Sequence, residues 1–535
     1  MIRKIIAVFL SFLILCTLLM GCSIKNSEMQ SSQITSSENS TSSNDDSSET
    51  VIGGEYPLYN EGFVYSDVLT LLTSDNTSSQ SQSSGPASSV KPSSSASSVV
   101  QTSSATSSQK NPSQNTTTQA PSSNLSSNNT AVVNKDTIKA VWISYIDLSS
   151  ILTNKSESAF RQNFETVCKN AKNFGLNTLV CQVRAHGDAI YNSEYFPWAQ
   201  HASGLGKNPG YDPMKIMIEL SHKYNLSFHA WINPFRTFWD SQVTSVPSSA
   251  TFKKWYNDSS KKDKYIVKVK ESNGNYRWYF NPGEPEVRKL IVDGIKEILN
   301  NYSVDGIHFD DYFYPRTIDS SFDSSTYSKY ANGKTLAKFR TESVNTLVKE
   351  VYNAVKSKNS KIIFGISPDA NVTSNLNTLY ADVKLWGSTN GYVDYLCPQI
   401  YYSYKSETTN FTTALNTWNN LITASNVKLM VGLAAYKIGY KEDYWACTNA
   451  NRDSHKNATN ICGMYGWQTS DSSKSDILAR QCADSLSLKK CNGVFLYSYQ
   501  YVFGINSTLL NSATYTSNAV NQAKTEMNNL KEALK

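Results

Sequence analysis

The sequence predicts a (β/α)8 barrel, and three observations carry that prediction. From about Thr137 onward, a period-2 or wholly apolar strand alternates with a helical pattern about eight times. Helix-to-strand connections are short, whereas strand-to-helix loops are long and aromatic, as expected when function lies at the strands' C-terminal ends. Finally, Val304–Tyr314 (VDGIHFDDYFY) reads as a buried strand ending in two adjacent carboxylates, Asp310 and Asp311, followed by aromatic residues. A doubly wound open sheet is the main rival. It normally has fewer strands, and the chain offers no Gly-rich phosphate loop for one.

The elements follow in order. Lys139–Tyr145 (KAVWISY) is the first strand. Ser158–Phe174 then carries Phe160, Phe164, Val167, Ala171 and Phe174 at helical spacing, and Gly175 stops that helix. Thr178–Arg184 (TLVCQVR) is the second strand; Asp212 and Pro213 open the next helix as N-cap and first residue. Ser227–Asn233 (SFHAWIN) is the third strand. The long excursion after it contains a hairpin, Tyr265–Glu271 and Tyr276–Asn281, around Ser272–Asn275. Pro285 starts a helix running to Tyr302. Gly306–Asp310 is the fourth strand and Thr335–Lys358 holds the helix behind it. Ile362–Ser367, Tyr395–Tyr401 and Lys428–Leu433 are the fifth, sixth and seventh strands. After the insertion Ala434–Lys474 come a helix over Ile477–Leu488 and the eighth strand, Gly493–Tyr497.

The barrel is expected to occupy 137–510, roughly 400 residues from Thr137 to the chain end being ample for one with long loop insertions, and 511–535 reads as a helical segment. Residues 1–21 read as a signal. Arg3 and Lys4 precede an apolar run, Ile5–Leu19, that is short for a bilayer span. Leu19-Met20-Gly21-Cys22 resembles a lipoprotein lipobox, which implies cleavage before Cys22 and lipidation of its thiol. An ordinary cleaved signal or an uncleaved anchor are the alternatives, and all three export the chain. Residues 22–136 are rich in Ser, Thr, Asn and Gln, too poor in apolar side chains to offset the entropy of ordering, and read as a disordered tether. The Val51–Leu72 island, with Tyr56, Tyr59, Phe63 and Tyr65, reads as a short docking motif, as a strand that packs on the barrel, or as residual hydrophobicity in a disordered arm.

The formal net charge is +6 and no long Lys/Arg run occurs, so nucleic acid is not an expected partner. Of the nine cysteines, Cys16 lies in the signal and Cys22 is the lipidation candidate. The odd remainder excludes a complete disulfide framework. Cys181 and Cys397 read as core residues, and Cys447 and Cys462 as a possible pair. No zinc spacing is present.

Strand parity decides which side chains meet at the mouth. Gln182, Arg184, His229, Trp231, Asn233, His308, Asp310, Ser367, Asp369, Gln399 and Tyr401 are expected to point inward. Polar side chains gathered at one end of an apolar frame need partners, which are either one another or a ligand. A purely internal network would pair Asp310 with Arg184, satisfy the histidines and use Asn233 to cap a turn. For His229 and His308 that structural role is preferred; for Asp310 catalysis is. Asp311 is expected to orient the loop or to meet substrate. Glycosidic bonds are usually cut by two carboxyl groups on opposite sides of the bond, which neighbours on one strand do not easily provide. Asp369, one strand over, is the best-placed second carboxylate and Asp188 is another. Glu194, Glu407 and Glu442 remain open. Trp231, Tyr312, Tyr401, Trp445 and Trp467 are candidates for sugar stacking.

KAVWISY, NTLVCQVRAHGDAIYNSEYFPWA, FHAWINPFR, NPGEPEVR, VDGIHFDDYFYP, FGISPDANV and DYLCPQIYYSY occur in this order and together closely resemble the glycosyl-hydrolase-like 10 family. The resemblance implies a barrel hydrolase, exported and often lipid-anchored, acting on bacterial cell-wall or related glycans; some relatives look like glycosidases for peptide-free peptidoglycan strands. Matching positions imply Arg184, Asn233, Arg236, Asp310, Asp311, Gln399 and Tyr401 as active-face residues. Asp369 falls where the family is expected to carry a non-acidic residue, so its role rests on strand geometry. DGIHFDDY also resembles the DGxDxDxE strand of chitinase-type barrels. Tyr312 stands at the Glu position and His308 replaces an Asp, so that mechanism does not transfer unchanged.

The expected protein is a cell-surface glycoside hydrolase with a carboxylate acid/base mechanism, a polysaccharide substrate, a lipid anchor in the membrane, a monomeric state and no metal or organic cofactor. The rivals are a non-catalytic glycan-binding lipoprotein and a metal-dependent polysaccharide deacetylase using Asp310, Asp311 and a histidine. The lack of an HxxxH-like pair weighs against the last.

Overall fold

Eight parallel strands close into a ring in the computed structural model, which describes residues 137–404, 409–438, 476–504 and 517–535, the side chains of 517–522 excepted. The signal, Cys22, the tether with its Val51–Leu72 island, Glu407, Glu442, Trp445, Trp467, Cys447 and Cys462 lie outside these residues.

The barrel strands are β1 (Ile138–Ile143), β2 (Thr178–Arg184), β3 (Ser227–Ile232), β7 (Gly306–Phe309), β8 (Ile363–Ile366), β9 (Tyr395–Leu396), β10 (Lys428–Leu433) and β11 (Cys491–Leu496). Their order around the ring is β1-β2-β3-β7-β8-β9-β10-β11, with β11 pairing back onto β1. Every barrel strand predicted from the sequence is present, with ends shifted by a residue or two. The exception is the sixth, expected over Tyr395–Tyr401, where regular pairing stops at Leu396 and resumes only as bridges from Gln399 to Asp369 and Gly432. Pro398 lacks the N–H that a continuous ladder needs there.

Two apolar layers hold the ring. Side chains of one parity, including Val141, Leu179, Phe228, Ile307 and Phe364, pack outward under the helices. Those of the other parity, Trp142, Val180, Trp231, Tyr395, Met430 and Phe495 among them, fill the interior. Such large rings fit because neighbouring strands offer glycine. A Cβ on Gly365 would lie 2.1 Å from Cζ of Tyr395, its partner across the β8–β9 pair. One on Gly306 would lie 2.7 Å from Cδ2 of His229. Both approaches are too close for any other residue.

The helices begin and end where their sequences dictate. Oδ1 of Asp212 accepts from the Lys215 amide at 3.0 Å, with Pro213 in the first turn. Gly175 ends the helix Glu157–Phe174 with φ 95°. Helices Tyr145–Leu152, Val383–Ser388 and Phe411–Leu421 were not singled out from sequence. At the chain end, the carboxylate of Glu526 accepts from the Ile477 amide at 3.0 Å, so helix Ser517–Ala533 caps helix Ile477–Ser487.

The excursion after β3 forms a small antiparallel sheet. The expected hairpin appears as β5 (Ile266–Lys270) and β6 (Tyr276–Phe280), and β4 (Arg236–Trp239) adds a third strand beside β6. β4 was missed because four residues following Asn233-Pro234 carry too little periodic signal.

Candidate active site

β7 stops at Phe309, so Asp310 is the first residue beyond it and Asp311 already belongs to the loop. Asp310 keeps the inward parity of His308 and is 3% exposed. Its Oδ2 accepts from Nε1 of Trp231 at 3.0 Å and its Oδ1 from the Tyr312 amide at 3.3 Å. Burial, and secondarily the Asp311 charge, push its carboxyl up to about 7; Arg236 and the two hydrogen bonds only partly oppose them. A carboxyl so placed holds a proton near neutrality, the requirement for a general acid.

Asp311 turns toward the β8–β9 side. Its Oδ1 accepts from Nε2 of Gln399 at 3.0 Å and its Oδ2 from Nη2 of Arg316 at 3.0 Å. The same Nη2 lies 2.9 Å from Oδ2 of Asp369, whose Oδ1 accepts from the Asn371 amide at 2.8 Å. Burial raises the Asp369 carboxyl, and Arg316 opposes that shift. Arg316 thus bridges the carboxylates after β7 and β8. It was not picked out from sequence: it follows Pro315 in an aperiodic loop, and the only signal was a cation close after an acidic pair.

Of the two interior histidines, for which a structural role is preferred because they are buried, His308 is hydrogen-bonded within the barrel, whereas the buried Nδ1 of His229 has no partner among the described residues. Nε1 of Trp142, which can only donate, lies 3.1 Å from Nε2 of His308, so the imidazole proton sits on Nδ1, 2.8 Å from the Tyr395 hydroxyl. Burial pushes His308 well below its usual range and His229 down to about 4.

The remaining candidates divide. Gln399 and Asp311 meet directly, and Asn233 caps the turn after β3, its Oδ1 accepting the Arg236 amide at 3.0 Å. The Arg236 guanidinium stacks on Tyr312, 4.3 Å from the ring centre. Tyr401 packs edge-on against Tyr436 at 5.5 Å. Arg184 does not pair with Asp310. It donates to the Pro234 carbonyl at 3.2 Å and covers the Phe196 ring at 4.4 Å, and burial lowers it to about 10. Two substrate-contact readings are corrected. Trp231, 6% exposed, offers no stacking face because its ring fills the barrel interior; its indole N–H is what reaches the site. Asp188, 1% exposed, is turned into its own loop, where Oδ2 accepts from the Gln200 amide at 3.3 Å. Glu194 is exposed, and its amide is bound to Glu297 at 2.6 Å. Among the described residues, no three His, Cys, Asp or Glu side chains are gathered as a metal site requires.

Residues 137–446 match the glycosyl hydrolase-like 10 family model. The chain belongs to this family. It is 32% identical over 328 residues to the glycosyl hydrolase YngK of Bacillus subtilis, covering 57% of this chain and 62% of that one. It is 27% identical over 340 residues to the glycosyl hydrolase DigH of Escherichia coli K12, covering 58% of this chain and 76% of that protein. Superposition on the PgaB (BpsB) glycoside hydrolase domain from Bordetella bronchiseptica gives a TM-score of 0.45 at 12% identity, over 73% of this chain and 99% of that domain.

Proposed function

We propose that the protein is an exported, lipid-anchored glycoside hydrolase that cuts a glycosidic bond in a peptidoglycan-type glycan. Family membership and two relatives named glycosyl hydrolase support hydrolysis. The observation that carries the chemistry is Asp310, a buried carboxyl held near pH 7 at a barrel strand's end. In this reading, protonated Asp310 gives its proton to the glycosidic oxygen as the bond to the leaving sugar breaks. The Asp311–Arg316–Asp369 group supplies the negative side of the cleft, where positive charge develops on the sugar ring and where water or a carboxylate attacks. Tyr312, half-buried in the loop after Asp310, gives its amide to the acid and its ring to the Arg236 guanidinium.

The signal-like N-terminus and the lipobox at Cys22 support export and anchoring. Peptidoglycan, with and without stem peptides, is incubated with the wild type and with Asp310→Asn, and products are identified by mass. The reading expects oligosaccharides from the wild type and almost none from the variant; equal product from both rejects the role of Asp310. Tight binding by the wild type without products supports a non-catalytic glycan binder instead. For the anchor, Cys22→Ala is expected to release the protein into the medium or leave it unprocessed.

A further inference from the structure

Arg316 is shared unequally by two loops. Its Nη2 lies 3.0 Å from Oδ2 of Asp311, in the loop after β7, and 2.9 Å from Oδ2 of Asp369, after β8. Its Nη1 donates to Oγ of Ser374 at 3.3 Å, again on the β8 side. Asp311 therefore receives a hydrogen bond from one nitrogen only, not the paired fork that a guanidinium can offer a carboxylate. Its other oxygen meets a neutral donor, Nε2 of Gln399.

Asp369 is committed to its surroundings. Its Oδ1 accepts from the Asn371 amide, its Oδ2 from Arg316, and its carbonyl from Nδ2 of Asn375 at 2.7 Å. Its backbone is bridged to Gln399. A carboxylate fixed in this way is suited to holding a cation in place rather than to attacking a sugar. Two carboxylates and one guanidinium also leave this group one negative charge in excess. Asp311 adjoins the acid, and after burial its charge is the strongest influence keeping the proton on Asp310.

We propose that Asp369 is a positioning residue: by drawing Arg316 to the β8 side, it leaves the Asp311 carboxylate only partly neutralised beside Asp310. Asp311 then keeps the charge with which it holds the acid protonated. This rests on the reading of Asp310 as the acid. The cations that act on Asp310 itself are Arg236 and Arg184. Tyr312, Tyr401 and Tyr402 also lie near these carboxylates; burial pushes Tyr312 and Tyr402 up to about 12 and raises Tyr401, so all three stay neutral where Asp310 titrates.

The test follows the Asp310 proton in the full protein between pH 4 and 9, by the infrared band of a protonated carboxyl that Asp310→Asn removes. No turnover is needed. Arg316→Met is expected to move the titration to higher pH and Asp369→Asn to lower pH, each by on the order of half a unit to one unit. Both variants break the same ion pair, so a purely structural role of that pair would move the titration the same way in each. Placed on Arg316→Met, Asp369→Asn is expected to add almost no shift, because no guanidinium remains to be drawn. Asp369→Glu, which keeps the charge, is expected to stay near the wild type. The side chains of Arg316 and Asp369 are 27% and 18% exposed, so none of these changes opens the core. Shifts of the same sign, no shift, or an Asp369→Asn shift as large without Arg316 as with it overturns the proposal. The expected shifts in a wild type that releases no product from glycan would reject the hydrolase reading and leave this arrangement standing.

Discussion

The indole of Trp231 donates to Oδ2 of Asp310 at 3.0 Å, and this bond joins the barrel's apolar interior to the acid at its mouth. It holds the carboxyl in one orientation while burial keeps it protonated near neutrality. Because the bond favours the ionised form, Trp231→Phe is expected to raise the Asp310 pKa. The alkaline limb of the kcat/KM profile then moves to higher pH. A limb that moves down or stays put would remove Trp231 from this role.

In the wild type that limb is expected near pH 7, with activity falling above it as Asp310 loses its proton. Asp310→Asn should cost on the order of 100- to 10,000-fold in kcat. Steady-state rates on a soluble glycan fragment between pH 4 and 9 check both.

Asp311 raises the Asp310 pKa through its charge. Asp311→Asn is therefore expected to shift the alkaline limb to lower pH, opposite to Trp231→Phe. The same pH series on this variant separates an electrostatic role from simple damage, which would lower rates without moving the limb.

The raised pKa also bears on stability. Asp310 titrates at about 7 in the folded protein against an ordinary 3.8, so the folded state binds its proton more tightly. Its contribution is present below pH 4 and is lost as pH rises through 7. Relative to wild type, Asp310→Asn should thus stabilise more at pH 8 than at pH 4, by on the order of 2–4 kcal/mol if unfolding is reversible. Urea titrations at the two pH values measure it; the same difference at both would refute the linkage.

Gly365→Ala is expected to destabilise the barrel, because the new methyl would meet the Tyr395 ring at 2.1 Å. Overpacking of this kind costs about 1–3 kcal/mol, or more where backbone has to shift. A thermal midpoint equal to wild type would show that Tyr395 has room to move.

The alternation of strands and helices, the inward direction of Asp310 and the caps at Asp212 and Gly175 were legible in the sequence. Each depends on a period of two or 3.6, or on the conformational preference of one residue, and such signals are local. Partnership was not legible. Arg316 lies in a loop without period, yet it joins Asp311 to Asp369, because closing the ring brings the ends of β7 and β8 side by side. Trp231 had the right parity for the mouth, but its depth in the interior is set by the glycines and rings of other strands. Sequence alone therefore determined which residues face the axis. Only the closed barrel decided which are paired and which are sealed away, since those depend on distances between segments far apart along the chain.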